Sequence, residues 1–338
     1  MVNRLIPSMS GRSQEQKQIV LMLCTGFFMG VFIATYQVTA DSMFLNRMGD
    51  QLDKAFLVAG ALGVISTMLF SFFQNRINFT TVTSVTIGLI LAFTLTAYYL
   101  LNYGDESLHD DFIFALYTMT GPMTAVLLLS FWGIFGRLFN FRQSKRIIGW
   151  IDTGQLIAAI AATLVAIPFT TSIIGDISNY LIVCAISIAI VAILLFVIAS
   201  SFTLAKNNPR EFGSAVRKET RWSSVVRDRY IMLLSLFLFI SMVMYVLSQY
   251  SFQQLVKEQY PDERDLTNFN AFFTGAVYGI SLIMQTFINH RIINNYGLKI
   301  ALFILPAIIT VFSIGSIATG SIFGFDKAMA PTGFIYFF

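Results

Sequence analysis

Nine runs of mostly apolar residues follow one another along the chain, at approximately 19–41, 55–74, 80–101, 112–135, 152–171, 179–203, 231–254, 269–288 and 300–320. Each has about 18 residues or more, the length an α-helix needs to cross a hydrocarbon layer roughly 30 Å thick at about 1.5 Å per residue. The pattern predicts an all-α polytopic membrane protein. A tenth run begins near Ala328 and reaches Phe338 after eleven residues, too few to cross, so the last span is expected to be incomplete in this chain. The first run is too long for a signal-peptide core and has no small-residue cleavage site ahead of it, so it is expected to be retained.

One long polar stretch, Ala205 to Tyr230, divides these runs into two blocks. AFLVAGALGVIS (Ala55 to Ser66) matches AFFTGAVYGISL (Ala271 to Leu282) at an offset of 216, with Ala55/Ala271, Phe56/Phe272 and Gly63/Gly279 identical. At the far ends of the same two spans, Gln74-Asn75-Arg76-Ile77 parallels Asn289-His290-Arg291-Ile292. An even number of spans separates the copies, which gives them the same orientation and predicts two parallel six-span repeats. The expected organisation is a six-span half over 1–204, a basic linker over 205–230, and an incomplete second half over 231–338.

Charge adds a direction to this picture. Of the 22 Lys and Arg residues, 17 fall in the N-terminus and every second loop, seven of them in the central stretch, and 5 fall on the opposite side. The positive-inside rule then places the N-terminus and central loop in the cytoplasm, and GDESLHDD (Gly104 to Asp111) and KEQYPDERD (Lys257 to Asp265) outside. The net charge of +4 is thereby explained by orientation, and nucleic acid is not an expected partner. Cys24 and Cys184 lie within spans without CxxC spacing or His neighbours and read as packing residues. His109 and His290 have no metal-ligand company, and neither a metal nor a cofactor is expected.

Polar residues inside the spans are the candidate chemistry, because lipid cannot satisfy them. Gly30, Ala34, Gln37 and Asp41 share one face of the first span, with Tyr36 beside them. Asp41 reads either as a substrate or proton site on a cavity wall, or as a cap or ion pair at a span end, where an ionisable group reaches water by snorkelling. Span 4 carries Tyr117, Thr120, Thr124 and a kinking Pro122. Span 7 carries Ser241, Tyr245, Ser248 and Gln249, and span 8 a stripe of Thr274, Tyr278, Ser281, Gln285 and Asn289. Such stripes fit a cavity wall and fit interhelical hydrogen bonding with Gly275 and Gly279 allowing close approach. Tyr36, Gln37, Asp41, Tyr117, Thr124, Tyr245, Gln249, Tyr278 and Gln285 are therefore the candidate substrate contacts. Lys145, Arg146, Asp152 and Gln155, around the predicted start of span 5, are the candidate salt bridge or gate at the cytoplasmic face, Asp152 being favoured near a helix N-terminus.

Twelve spans in two parallel halves with a basic central loop resemble the major facilitator superfamily. TYQVTADSMFL (Thr35 to Leu45), FNFRQSKRIIGWIDTGQLIAA (Phe139 to Ala159), RDRYIMLL (Arg227 to Leu234) and YGLKIALFILP (Tyr296 to Pro306) resemble the bacterial and plastid ATP/ADP translocase branch and its bacterial relatives. In that branch a basic residue usually precedes the acidic one in the first-span motif; here the position is Ala40. The glycines after the Lys-Arg pair of span 5 are thinned to Gly149 and Gly154.

The expected function is a secondary transporter that moves a small polar solute by alternating access, in the plasma membrane, which in a bacterium is the inner one. The rival expectation is a transport-inactive anchor, sensor or complex subunit, with protein partners or soluble domains beyond Phe338. No nucleophile–base pair or phosphate-binding glycine loop is present, so an enzyme is not expected. The orientation is checked by labelling: cysteines introduced at Ser214 and Ser107 should react with impermeant reagents from opposite sides, and reaction from the same side would overturn the assignment.

Overall fold

The structure, a computed structural model, describes residues 13–174, 176–202 and 229–288, with isolated positions between 295 and 315. The described residues are helical almost throughout: α1 (Ser13–Met48), α2 (Leu52–Gln74), α3 (Phe79–Tyr103), α4 (His109–Leu138), α5 (Phe141–Ile160), α6 (Ile167–Ile174), α7 (Tyr180–Ser201), α8 (Arg229–Gln259) and α9 (Glu263–Ile283). A π-helical segment, Ala161–Ala166, fuses α5 to α6 into one rod, and a second, Met284–Ile288, continues α9. The central linker, most of the ninth predicted span and the start of the tenth lie outside the described residues.

Among the described residues six helical stretches are long and apolar enough to span a membrane: Glu15–Gln74, Phe79–Tyr103, Glu106–Leu138, Ile147–Thr170, Ile177–Ser201 and Ile231–Gln259. The first is really two rods, α1 and α2, meeting at the 3-10 turn Gly49–Gln51. α9 forms a helix where span 8 was expected. An all-α polytopic membrane protein is thus what the chain forms.

Two boundaries differ from the apolar runs. α1 continues to Met48, so Asp41 lies about two turns inside the helix instead of at its end. α5 begins at Phe141, well before the expected 152, because Asn140 and Gln143 form a reciprocal capping box and the backbone N–H of Asn140 donates to Gln143 Oε1 at 3.0 Å. Hydrophobicity alone misses such a start, since Arg142, Gln143, Ser144, Lys145 and Arg146 are polar yet good or tolerable helix residues.

α1 is the central rod and packs against α4, α5, α7 and α9. Its apolar side chains Met22, Met29, Phe32 and Ile33 join Leu127, Phe131 and Ile134 of α4 and Leu181, Cys184 and Ile188 of α7 in the largest buried cluster. Close approach to α5 depends on Gly30, where an added Cβ would run into the Gln155 carbonyl oxygen and lie 3.2 Å from Ala158 Cβ. Ala34, Ala159 and Ala162 continue this small-residue seam, with Tyr278 of α9 packed against it. Small residues serve this purpose in membranes because dispersion between closely packed backbones replaces the hydrophobic effect.

Pro168 accounts for the π segment. Lacking an N–H, it cannot bond the carbonyl four residues back, and the helix widens over the preceding turn to relieve the clash. α9 nests on that widened turn through Gly275, where a Cβ would lie 2.6 Å from Thr163 Oγ1. α8 by contrast meets the other described helices only with its last third: Gln253 and Val256 are buried, whereas Ile231 through Leu247 are largely exposed.

These contacts give a direct stability test. Gly30→Val should cost about 1–3 kcal/mol, since the clash is with backbone that cannot swing aside, and should lower the unfolding temperature in detergent. Gly88→Ala, with open space around the position, should leave it unchanged.

Candidate functional site

The acidic loops gather at one end of the bundle, called here the acidic end, and the linker-bearing helix ends at the other, the basic end. Between them a series of polar contacts ties α1, α4 and α5 to α8 and α9. Gln285 Nε2 donates to Asp152 Oδ2 at 2.5 Å. Further along, Tyr117 donates its hydroxyl proton to Gln253 Oε1 at 2.5 Å, and Asn270 Nδ2 donates to Ser42 Oγ at 3.0 Å in a fully buried contact. At the acidic end Asn46 Nδ2 donates to the Pro261 carbonyl at 3.0 Å, and Lys257 pairs with Asp50 at 2.5 Å across Gly49. Asp50 is almost fully exposed, so this last pair contributes little stability. The buried contacts count for more, because no water replaces them in the bilayer core.

Asp41 stands in the middle of this series. It is half-buried, accepts a hydrogen bond from Gln37 one turn earlier on α1, and lies within Coulomb range of Tyr117 and Tyr278. Tyr117 of α4 meets α8 through Gln253, and Tyr278 of α9 packs against Ala34, about two turns before Asp41 on α1. Tyr117 is held rigidly there: its ring stacks on Phe44 at 4.1 Å between centroids and meets Phe56 edge-on at 6.2 Å. Tyr245 is 60% exposed, and Tyr278 is half-buried.

The remaining candidates fall in several places. Gln37 lies one turn before Asp41 on α1, and Gln249 is half-buried on α8, one turn from Tyr245. Thr124 is half-buried on α4, about two turns toward the basic end from Tyr117. Tyr36 turns elsewhere: it is 2% exposed, packs on Phe32, and gives its hydroxyl proton to the Leu116 carbonyl at 3.0 Å, which makes it an α1–α4 packing contact. For Asp152 it is the helix boundary that differs from expectation. With α5 starting at Phe141 it is the twelfth residue of the helix, too deep for the N-terminal dipole, and its partner is Gln285. The side chains of Lys145 and Arg146 lie outside the described residues. Gln155 sits beside the α1 seam, and its Oε1 is buried without a hydrogen-bond partner among the described residues.

Three contributors escaped the sequence reading: Gln253, Asn270 and Ser42. The first two were legible in principle. Gln253 continues the spacing of four from Tyr245 and Gln249, and Asn270 continues the stripe through Thr274 and Tyr278 toward the acidic end. Ser42 carries no comparable signal, since a serine beside an apolar run is common in membrane helices.

At the acidic end a cavity of about 670 Å³ opens between the turns, lined among others by Arg47, Glu106, His109, Asp176, Glu263 and Arg264. Burial pushes the Glu263 carboxyl above the usual glutamate range; Arg47 draws it back, and Asp176 and Asp262 add to the upward push. A carboxyl raised in this way binds its proton more tightly in the folded state than in the unfolded chain. The stability it contributes is present at pH below the ordinary glutamate value and is lost as pH rises through the raised one. Glu263→Gln should therefore raise the unfolding temperature at pH 7.5 and flatten its dependence on pH between 7.5 and 5; an unchanged profile would contradict the assignment.

Among the described residues no group of three or more His, Cys, Asp or Glu side chains is placed to hold a metal ion. No curated protein and no solved structure matches the chain. The family model of the TLC ATP/ADP transporter matches residues 112–331, from the start of α4 past the end of α9. A match over more than half of the sequence, on a chain built of apolar membrane-spanning helices, places this protein in the TLC ATP/ADP transporter family.

Proposed function

We propose that the protein is a secondary transporter of a small polar solute, working by alternating access between two halves of major-facilitator type, and that the solute is not a nucleotide held at the membrane midplane. Membership of a transporter family supports the first part. The observation that carries the second is the charge of the interior. Asp41, Gln37, Tyr117 and Gln253 supply carboxylate, amide and hydroxyl groups within the spans, while every Lys and Arg of the described spans lies near a helix end, Arg137 being the second-last residue of α4. A triphosphate brings several negative charges, and burying them beside a carboxylate without basic partners would be very costly. A neutral, zwitterionic or cationic solute meets no such cost.

Alternating access also agrees with the way the two parts meet. α8 reaches α4 and α1 only toward the acidic end, through Gln253, Lys257 and Tyr250, whose ring lies edge-on to Phe56 at 5.8 Å. In the proposed orientation the acidic end faces outward, so these contacts close the outer path, and the exposed length of α8 toward the basic end would border the inward one. Ala55 and Ala271, the matched residues of the two repeat copies, are both fully buried in the cluster at the closed end.

The test is transport by the full-length protein in proteoliposomes. ATP/ADP exchange should be absent, and at least one neutral, zwitterionic or cationic solute should be taken up. Robust nucleotide exchange that Gln37→Ala abolishes would overturn the proposal. Failure to move any class of solute would favour the transport-inactive reading, to which Ala40, in place of the branch's usual basic residue, also points.

A further inference from the structure

α2 and α3 are joined by a short turn at the basic end, yet they part beyond it. α2 packs chiefly on α4 and α3 chiefly on α7, so the two touch little, with Phe70 meeting Phe79 edge-on at 6.2 Å between centroids near the turn. A groove of about 600 Å³ is left between them, walled by Leu69 and Phe73 of α2 and by Val85 and Leu89 of α3. Met119 and Met123 of α4 form its floor on either side of Pro122. The lining is apolar apart from the hydroxyls of Ser66, Thr81 and Thr86. Its α3 wall opens outward, Val85 being 55% and Leu89 66% exposed.

The groove runs from Ile77, in the turn, to Phe93 of α3. From Thr81 to Phe93 the helix rises about 18 Å at 1.5 Å per residue, close to the roughly 15 Å of hydrocarbon in one leaflet. Two arginines flank its basic end. Arg76 precedes Ile77 in the turn and holds its guanidinium 4.4 Å from the centre of the Phe72 ring. Arg137, near the end of α4, lies 3.6 Å above the ring of Phe79, which sits against Gly133 where a Cβ would run into it. Arg137 donates one N–H to the Gly133 carbonyl at 2.9 Å. A guanidinium has five N–H donors, and neither arginine pairs with a carboxylate among the described residues. The ring faces hold both cations beside the groove without neutralising them.

An apolar slot one leaflet deep, with uncompensated positive charge at its interfacial mouth, matches an amphiphile that has a hydrocarbon tail and an anionic head. We propose that the groove between α2, α3 and α4 binds one acyl chain of an anionic phospholipid, whose phosphate is held by Arg76 and Arg137. In the orientation given above the basic end lies in the cytoplasmic leaflet, where anionic lipids create a negative surface potential. A soluble phosphate has no tail to fill the slot, and a zwitterionic lipid brings its own cation to the arginines.

The test uses purified full-length protein in a mild nonionic detergent. Phosphatidylglycerol with a photoreactive diazirine midway along one chain is added, and after illumination the adducts are located by mass spectrometry. They should concentrate at Leu69, Leu89, Met119 and Met123. Excess unlabelled phosphatidylglycerol should displace them, whereas phosphatidylcholine or inorganic phosphate should not. Thr86→Trp, which fills the groove from α3 and keeps both arginines, should abolish them. Arg76→Gln combined with Arg137→Gln keeps the shape of the groove and should reduce the preference for phosphatidylglycerol over phosphatidylcholine roughly thirtyfold; this variant keeps the question decidable should Thr86→Trp fail to fold. Adducts spread evenly over the outer helix faces, equal competition by phosphatidylcholine, or an unchanged preference in the double arginine variant would overturn the proposal. So would groove residues that take no adduct because another segment of the chain or a second copy covers them.

Discussion

Water is missing from the middle of a bilayer, and most of this structure can be read as a response to that. A backbone of continuous helices satisfies the peptide groups within each rod, but side-chain polar groups must find partners on other rods or on their own. Some do the latter: the hydroxyls of Thr25, Thr39, Thr94 and Thr118 each bond a carbonyl one turn back, which lets them lie buried without calling for a neighbour. Several of the longer amides reach other rods. Asp152 finds Gln285, Gln253 finds Tyr117, and Asn270 finds Ser42, and each of these pairs joins one of the helices α1, α4 and α5 to α8 or α9. The need to satisfy polar groups thus draws the two parts of the chain together at defined points.

Such contacts are individually modest, on the order of 0.6 kcal/mol and seldom above about 2 kcal/mol in membranes. Shape completes what they begin. Gly30 and the alanines of the α1–α5 seam bring backbones together, and Pro168 widens the rod so that Gly275 of α9 can settle on the π-helical turn. That placement carries Tyr278 to the face of α1 on which Asp41 lies. A polar stripe and a proline three spans away are in this sense parts of one device: one supplies the groups, the other the seat that positions them.

Much of this could be read from the residues. The apolar runs located the helices, and the polar stripe of span 8 contains Tyr278 and Gln285, which meet the α1–α5 seam and Asp152. What failed, failed for physical reasons. Apolar windows stop where charge begins, so they cut α5 short at Asp152 and assigned it a helix-end role, although a capping box had started the helix eleven residues earlier. They also ended α1 at Asp41, when the helix runs on to Met48 through residues whose burial comes from α8, α9 and the turns of the acidic end. Tyr36 lies next to Gln37 in sequence, but a helix turns about 100° per residue, and this sends its hydroxyl to α4 instead. The direction in which a side chain points within a packed bundle is set by neighbours distant in sequence, which periodicity alone does not contain.

The central claim is that α1 and α9 meet face to face beside Asp41. It is tested most directly by cross-linking Ser42→Cys to Asn270→Cys, side chains 3.0 Å apart in hydrogen-bonded contact, in native membranes with a mild oxidant. The account predicts rapid and nearly complete disulfide formation within one chain, with little for the control pair Ser42→Cys and Ser281→Cys, which lies about three turns further along α9. Equal and slow reaction of both pairs would contradict it.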